Sequence, residues 1–224
     1  MFKAIIIGSS GATGSQLFKK LLLNENCDFI TTIGRKSSLN GKRNDKVRDL
    51  IIPDLLDLSS TKEFWPGNDV FFNCIGTTRA IAGSAQEFVN VEVGISNKAA
   101  KMAHKAEIPH ATLISAAGVN PNIWAKEWIH PLFYMKTIGQ KEQSILQNYT
   151  FKYTSIFKPG MLLRLQKKQT WFENFSELAG TGLRVDVLAL AMMVNAEKIK
   201  KNYKEKSINY FTGNNEIKKT LQNM

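Results

Sequence analysis

Long apolar runs are missing from this sequence. No stretch approaches the roughly 18 residues that a membrane-crossing helix needs, and the C-terminus is polar, so neither a spanning helix nor a tail anchor is expected. Cysteine is scarce. Cys27 and Cys74 stand in unrelated segments, which fits a reducing compartment and two small buried side chains rather than a disulfide framework. The three histidines, His104, His110 and His130, keep no metal-ligand spacing with one another or with the cysteines, and no metal is assigned. The chain opens directly into Lys3-Ala4-Ile5-Ile6-Ile7, a core-like strand. That leaves no residues for a cleaved leader and points to a cytoplasmic protein.

Negative charge is also in short supply. Thirty Lys and Arg face nineteen Asp and Glu, for a formal net charge of +11. Such an excess suits nucleic acid or an anionic membrane surface, and it equally describes a solvated basic face. The densest run, Lys198 to Lys206, is broken by Ile199, Tyr203 and Glu205, and no nucleic-acid motif accompanies it. Nucleic acid is therefore not assigned as a partner, while peripheral membrane association stays open.

What is present is an alternation of strand and helix signals. Apolar, β-rich runs occur at 3–7, 29–33, 47–52, 70–75, 111–115 and 153–157. Helical spacing occurs at 12–23, 86–105 and 132–147, with a shorter helix at 59–65 before the Pro66-Gly67 turn. Val70 to Ile75 is almost continuously apolar, as strands buried on both faces are. Beyond Pro159-Gly160 the order weakens to a helix near 186–198, a strand at 208–211 and a terminal helix from about 215. The pattern predicts an α/β fold, a Rossmann doubly wound parallel sheet with a small C-terminal extension. With 224 residues the chain suits a single domain, with a core over 1–165 and a small C-terminal lobe over 166–224.

The strongest chemical signal is Gly8-Ser9-Ser10-Gly11-Ala12-Thr13-Gly14, set between the first strand and the first helix. There a pyrophosphate would meet free backbone N–H groups and the positive end of a helix dipole. Gly8 permits the tight turn, Gly11 lets backbone approach phosphate, and Gly14 lets helix pack on strand. At the end of the second strand an NAD-binding site would place a carboxylate for the ribose 2′-hydroxyl. Here Gly34 is followed by Arg35 and Lys36. A planar guanidinium suits a 2′-phosphate and an ammonium adds charge, so NADP(H) is the expected cofactor.

The glycine spacing with "GATG" at 11–14, "GRK" at 34–36 and "GTTR" at 76–79 with Ala82-Gly83 resembles the Tat-interacting-protein oxidoreductases. These are atypical short-chain dehydrogenases with fungal relatives at the mitochondrial outer membrane. The resemblance continues through Phe88-Val89-Asn90-Val91, Ser115-Ala116-Ala117-Gly118, Tyr134 and Ile156 to Leu163. It implies that Ser10, Gly11, Ala12 and Thr13 meet the pyrophosphate and that Asp54-Leu55 touches the adenine. It further implies that Ile75, Gly76 and Thr77 follow the ribose–nicotinamide path and that Leu162 approaches the nicotinamide. A place at the mitochondrial outer membrane and contacts with regulatory proteins are further implications.

The same resemblance supplies candidate catalytic residues. In such enzymes a Tyr protonates the carbonyl oxygen, a Ser polarises it, and a Lys four residues after the Tyr lowers the phenol pKa and holds the ribose. Ser115 and Tyr134 fit the first two roles. Position 138, where the Lys belongs, is Ile138, which can neither donate to a ribose nor stabilise a tyrosinate. Lys136 lies nearly opposite on the helix. Lys141 shares the face of Tyr134 but sits about 10 Å further along the axis. Trp124 and Trp128, between Ser115 and Tyr134, suit a pocket wall, a protein contact or packing on the C-terminal lobe. Two functions follow: an NADPH-dependent oxidoreductase of an unknown carbonyl substrate, or an NADP(H)-binding regulatory module with little turnover.

Overall fold

The computed structural model describes residues 1–164, 182–202 and 205–222. The expected boundary at 165 and part of the basic run, Tyr203 and Lys204, fall at or outside these limits. The elements in order are β1 (Phe2–Ile7), α1 (Ala12–Leu23), β2 (Cys27–Gly34), β3 (Val47–Ile51), a 3₁₀ turn (Ser59–Phe64), β4 (Val70–Asn73), α2 (Arg79–Ala82) and α3 (Ala85–Val89). A π-helical turn (Asn90–Ile95), α4 (Ser96–Lys105), β5 (His110–Ile114), α5 (His130–Asn148) and β6 (Tyr153–Lys158) follow. Last come β7 (Leu162–Leu163), β8 (Leu183–Arg184), α6 (Val185–Lys201), β9 (Ser207–Thr212) and α7 (Gly213–Lys219).

Seven strands form one sheet in the order β3-β2-β1-β4-β5-β6-β9, every pairing parallel. The doubly wound Rossmann sheet read from the sequence is the sheet observed. β1 is the third of seven strands, and it owes that place to side chains that bury on both faces. Ile6 belongs to a core with Phe72, Leu17, Leu21, Leu188 and Met192, beneath α1 and α6. Ile5 and Ile7 belong to the opposite core with Phe71, Trp65, Ala99, Ala103 and Ile145, beneath α4 and α5. Alternation along one strand thus feeds two layers. Each fully buried Leu, Ile or Phe contributes about 1.5–3 kcal/mol.

The chain after 182 returns to this sheet. α6 packs beside α1, and β9 pairs with β6 from Tyr153↔Ser207 to Lys158↔Thr212. Phe157 and Phe211 stack across that pairing at 4.6 Å. The strand expected at 208–211 is therefore the seventh strand of the main sheet.

Two expectations need correction. Residues 86–105 are not one α-helix. Ser84 caps α3 by accepting from the Glu87 N–H at 3.0 Å, and the π turn then separates α3 from α4. A π turn widens the helix by one residue and redirects the side chains on it, and here it turns Glu92 inward to 2 % exposure. β4 is also shorter than the apolar run suggested. It ends at Asn73, whose Oδ1 accepts from the Ile75 N–H at 3.2 Å and bends Cys74 to Thr77 out of the sheet.

Two consequences can be measured. A Cβ built on Gly14 would lie 2.1 Å from the Gly8 carbonyl oxygen, a contact with backbone that no rotamer relieves. Gly14→Ala should lose about 3 kcal/mol in urea unfolding, the upper part of the overpacking range. His110, buried on β5 with its Nε2 2.9 Å from Ser155 Oγ, has its pKa pushed down by burial to about 3. Its unfolded value is about 6.5, so between pH 6.5 and 3 the unfolded chain binds the extra proton. Stability from this group is complete above about pH 6.5 and is lost on acidification, by at most about 1.4 kcal/mol per pH unit. Urea midpoints of His110→Gln should fall less steeply than those of the unaltered protein over that window.

Candidate functional site

The site begins where β1 stops. Gly8 takes φ +83°, and a Cβ there would lie 2.7 Å from the Cys74 carbonyl oxygen, so only glycine lets this turn lie against the end of β4. The Gly11 N–H donates to the Gly8 carbonyl at 3.0 Å and closes the turn. α1 then starts with Gly11 as its N-cap, with no side-chain cap and no acid in its first turn. A twelve-residue helix thus presents uncapped N–H groups and its positive dipole end at the sheet's carboxyl edge. β1 lies between β2 and β4, so this is also the point where strand order reverses, where such sheets form a ligand crevice.

A cleft of about 440 Å³ opens there. Gly8, Ser10, Gly11, Ala12 and Thr13 line its middle, while Gly14 lies beneath, packed on Gly8. Gly34 and Arg35 line one end, and Leu55 closes the adjoining wall. Ile75, Gly76 and Thr77 line the opposite lip, and Ser115, Tyr134, Ile138 and Leu162 line the far end. Two of the residues expected at the cofactor stand off this wall. Lys36 is exposed outside it, and Asp54 is exposed and accepts from the Leu56 N–H at 2.8 Å.

The loop bearing Arg35 is held from below. Asp49 on β3 accepts from Thr32 Oγ1 at 2.5 Å, Ser37 Oγ at 2.6 Å and the Ser38 N–H at 2.9 Å. Ser38 Oγ donates to Ser9 Oγ at 2.7 Å, which joins this loop to the glycine turn. The carboxylate that stands closest in sequence after Arg35 on the sheet is thereby engaged with the loop itself.

The far end holds two charged clusters. Ser115 Oγ donates to Glu142 Oε2 at 2.5 Å, and Lys158 Nζ donates to Glu142 Oε1 at 3.0 Å. The Ser115 proton is thus directed at a carboxylate, while its lone pairs remain open to a donor. Tyr134, at the start of α5, is 38 % exposed and lies beside Phe88 with ring centroids 6.0 Å apart. Loss of hydration, then the Glu92 carboxylate, push its phenol up to about 12 against the opposing Arg164 guanidinium. It is a protonated phenol at neutral pH.

The second cluster is the pair Lys141–Glu92. Lys141 Nζ donates to Glu92 Oε2 at 2.9 Å, and Glu92 Oε1 accepts from the Thr77 N–H at 2.7 Å. Both side chains line the cleft. Burial pushes the Cys74 thiol up to about 12 with Lys141 opposing it, so this cysteine is a neutral packing group. Lys136 does not reach the cleft wall.

Sequence reasoning missed Glu92, Glu142 and Arg164. Glu142 could have been found, since it follows Ile138 by four residues on the same helix face. Glu92 could not, because its inward aim depends on the π turn. Trp124 and Trp128, 67 % and 71 % exposed, neither line the cleft nor enter a core among the described residues. Among those residues no group of His, Cys, Asp and Glu is arranged to hold a metal ion, and no helix is long and apolar enough to cross a membrane.

Comparison with known proteins agrees with this geometry. Residues 4–124 match the NAD dependent epimerase/dehydratase family. The mitochondrial protein FMP52 of Debaryomyces hansenii is 33 % identical over 172 residues, covering 76 % of this chain and 71 % of that protein. Protein HTATIP2 of Rattus norvegicus is 30 % identical over 161 residues, covering 70 % and 62 %. Among solved structures, the oxidoreductase ylbE from Lactococcus lactis has a TM-score of 0.66 at 17 % identity, covering 99 % and 96 %. UDP-glucuronic acid 4-epimerase from Bacillus cereus in complex with NAD has a TM-score of 0.63 at 13 % identity, covering 94 % and 86 %. At these identities the two structures speak for the fold, and the sequence relatives speak for descent. This chain belongs to the NAD(P)-binding atypical short-chain dehydrogenases, within the NAD dependent epimerase/dehydratase family.

Proposed function

We propose that this protein binds NADP(H) and uses it to reduce a small carbonyl compound. The observation that carries the reading is that one cleft gathers an uncapped helix N-terminus, a guanidinium after β2 and a protonated phenol at the far end. The residues present fit the cofactor. Gly8 and Gly11 leave a cradle without Cβ atoms for phosphate, and Arg35 offers a 2′-phosphate a bidentate donor with no acid beside it on that wall.

The nicotinamide supplies the hydride when bound. The chain's own residues hold the carbonyl and deliver the proton. Tyr134 carries a proton at neutral pH and donates it to the carbonyl oxygen. Ser115, its proton held by Glu142, sits on the same wall and can accept from a hydroxyl or N–H beside the carbonyl. The relatives described as mitochondrial support a mitochondrial association over the cytoplasmic one expected from the chain's start.

A second reading, a dinucleotide-binding module with little turnover and regulatory protein partners, draws on Ile138 in the lysine's place and on a Ser115 proton already donated to Glu142. The two readings share the cofactor and part on turnover. Calorimetric titration should find NADPH bound at micromolar Kd or tighter and more tightly than NADH. Arg35→Glu should lose most of that preference, and absence of binding by either nucleotide removes both readings. A Tyr134-dependent loss of NADPH absorbance with a panel of aldehydes and quinones selects the reductase, and its absence selects the binding module.

A further inference from the structure

Glu92 and Lys141 are 2 % and 5 % exposed, yet they stand on the wall of the cleft. Burying two charges is costly, and a matched apolar pair in the same space would be no less stable. Stability therefore does not account for them. Their location narrows the alternatives. The phosphate loop holds the middle of the cleft and Arg35 one end, while the pair lies toward Ser115, Tyr134 and Leu162. A dinucleotide with its pyrophosphate on α1 and its adenosine side toward Arg35 leaves its nicotinamide riboside in that far half. Beside the ring's carboxamide, that half presents a vicinal ribose diol. A carboxylate accepts from hydroxyls and an ammonium donates to them, so an adjacent Glu–Lys pair complements a diol.

The helix geometry allows it. Lys141 follows Ile138 by three residues, about 4.5 Å along the axis. Helical side chains lean toward the N-terminus, so its four-methylene stem carries the ammonium back toward the level of Ile138. Glu92 fixes it there, and Glu92 is itself fixed by the Thr77 N–H. The pair thus ties α5 to the Ile75–Thr77 lip.

We propose that Lys141, positioned by Glu92, binds the nicotinamide-side ribose of the cofactor and so takes over the task that Ile138 cannot perform. The assignment rests on the NADP(H) reading above. It makes Lys141 a cofactor-binding residue and Glu92 a positioning one.

The test compares two ligands by calorimetry: NADPH, and adenosine 2′,5′-bisphosphate, which has the 2′-phosphate half and lacks the nicotinamide riboside. Glu92→Leu with Lys141→Met removes both charges together, so that neither is left buried and unpaired. This double variant should bind NADPH about tenfold more weakly, the loss expected for one charged hydrogen bond, and bind the bisphosphate as before. Adding Ile138→Lys to it should recover most of the NADPH affinity. Unchanged NADPH binding in the double variant, equal weakening of both ligands, or no recovery with Ile138→Lys each overturns the assignment while leaving the cofactor reading intact. Failure of the unaltered protein to bind either ligand overturns both.

Discussion

The contact on which the rest depends is between two glycines. Gly14 of α1 lies directly on the carbonyl of Gly8, and Gly8 lies directly on the carbonyl of Cys74. These approaches bring the start of α1, the end of β1 and the end of β4 to one point, closer than any side chain permits. The cleft follows from them. If α1 stood off by one methyl group, its N-terminus would no longer aim into the crevice between β1 and β4. The two layers of core beneath α1–α6 and α4–α5 hold the strands in place around that point.

The far end of the cleft is built differently, from charge rather than close packing. α5 delivers Tyr134, Ile138 and Lys141 to the cleft and Glu142 to Ser115. Gly139 lets that helix press against the Asn120-Pro121 turn, where a Cβ would lie 2.6 Å from the Pro121 nitrogen. Two lysines at this end face carboxylates: Lys158 on Glu142 and Lys141 on Glu92. Paired charges held at low exposure act as fixed dipoles, which orient polar ligand groups without reorganising. With Ile138 in its wall, this end of the cleft is therefore still charged. Its buried cation, Lys141, stands three residues along the same helix.

Much of this was legible in the residues. Gly8, Gly11 and Gly14 have a spacing with few structural meanings between a β-rich run and a helical one, and each meaning concerns local backbone geometry. Arg35 directly follows the last residue of β2, Gly34, so its place on the cleft was fixed once β2 was. Ser115 and Tyr134 reach the cleft because each terminates or begins an element at the sheet's carboxyl edge. Lys36 and Asp54 were expected on the cofactor and stand off the wall. Loop direction, set by Asp49 gripping Ser37 and Ser38, has no periodic signature in sequence.

What the sequence determined by itself is the local chemistry: strand, turn and helix at the N-terminus, a basic residue after β2, and an isoleucine four residues after Tyr134. Those depend on neighbours within a few positions. Tertiary structure decided the partnerships. Glu92 and Lys141 are 49 residues apart and meet only because a π turn rotates one toward the other across two helices. β9 joins β6 after α6, the helix before it in the chain, crosses back against α1. Burial and charge pairing are properties of the assembled sheet, and they decide which of the chain's many lysines faces the cleft.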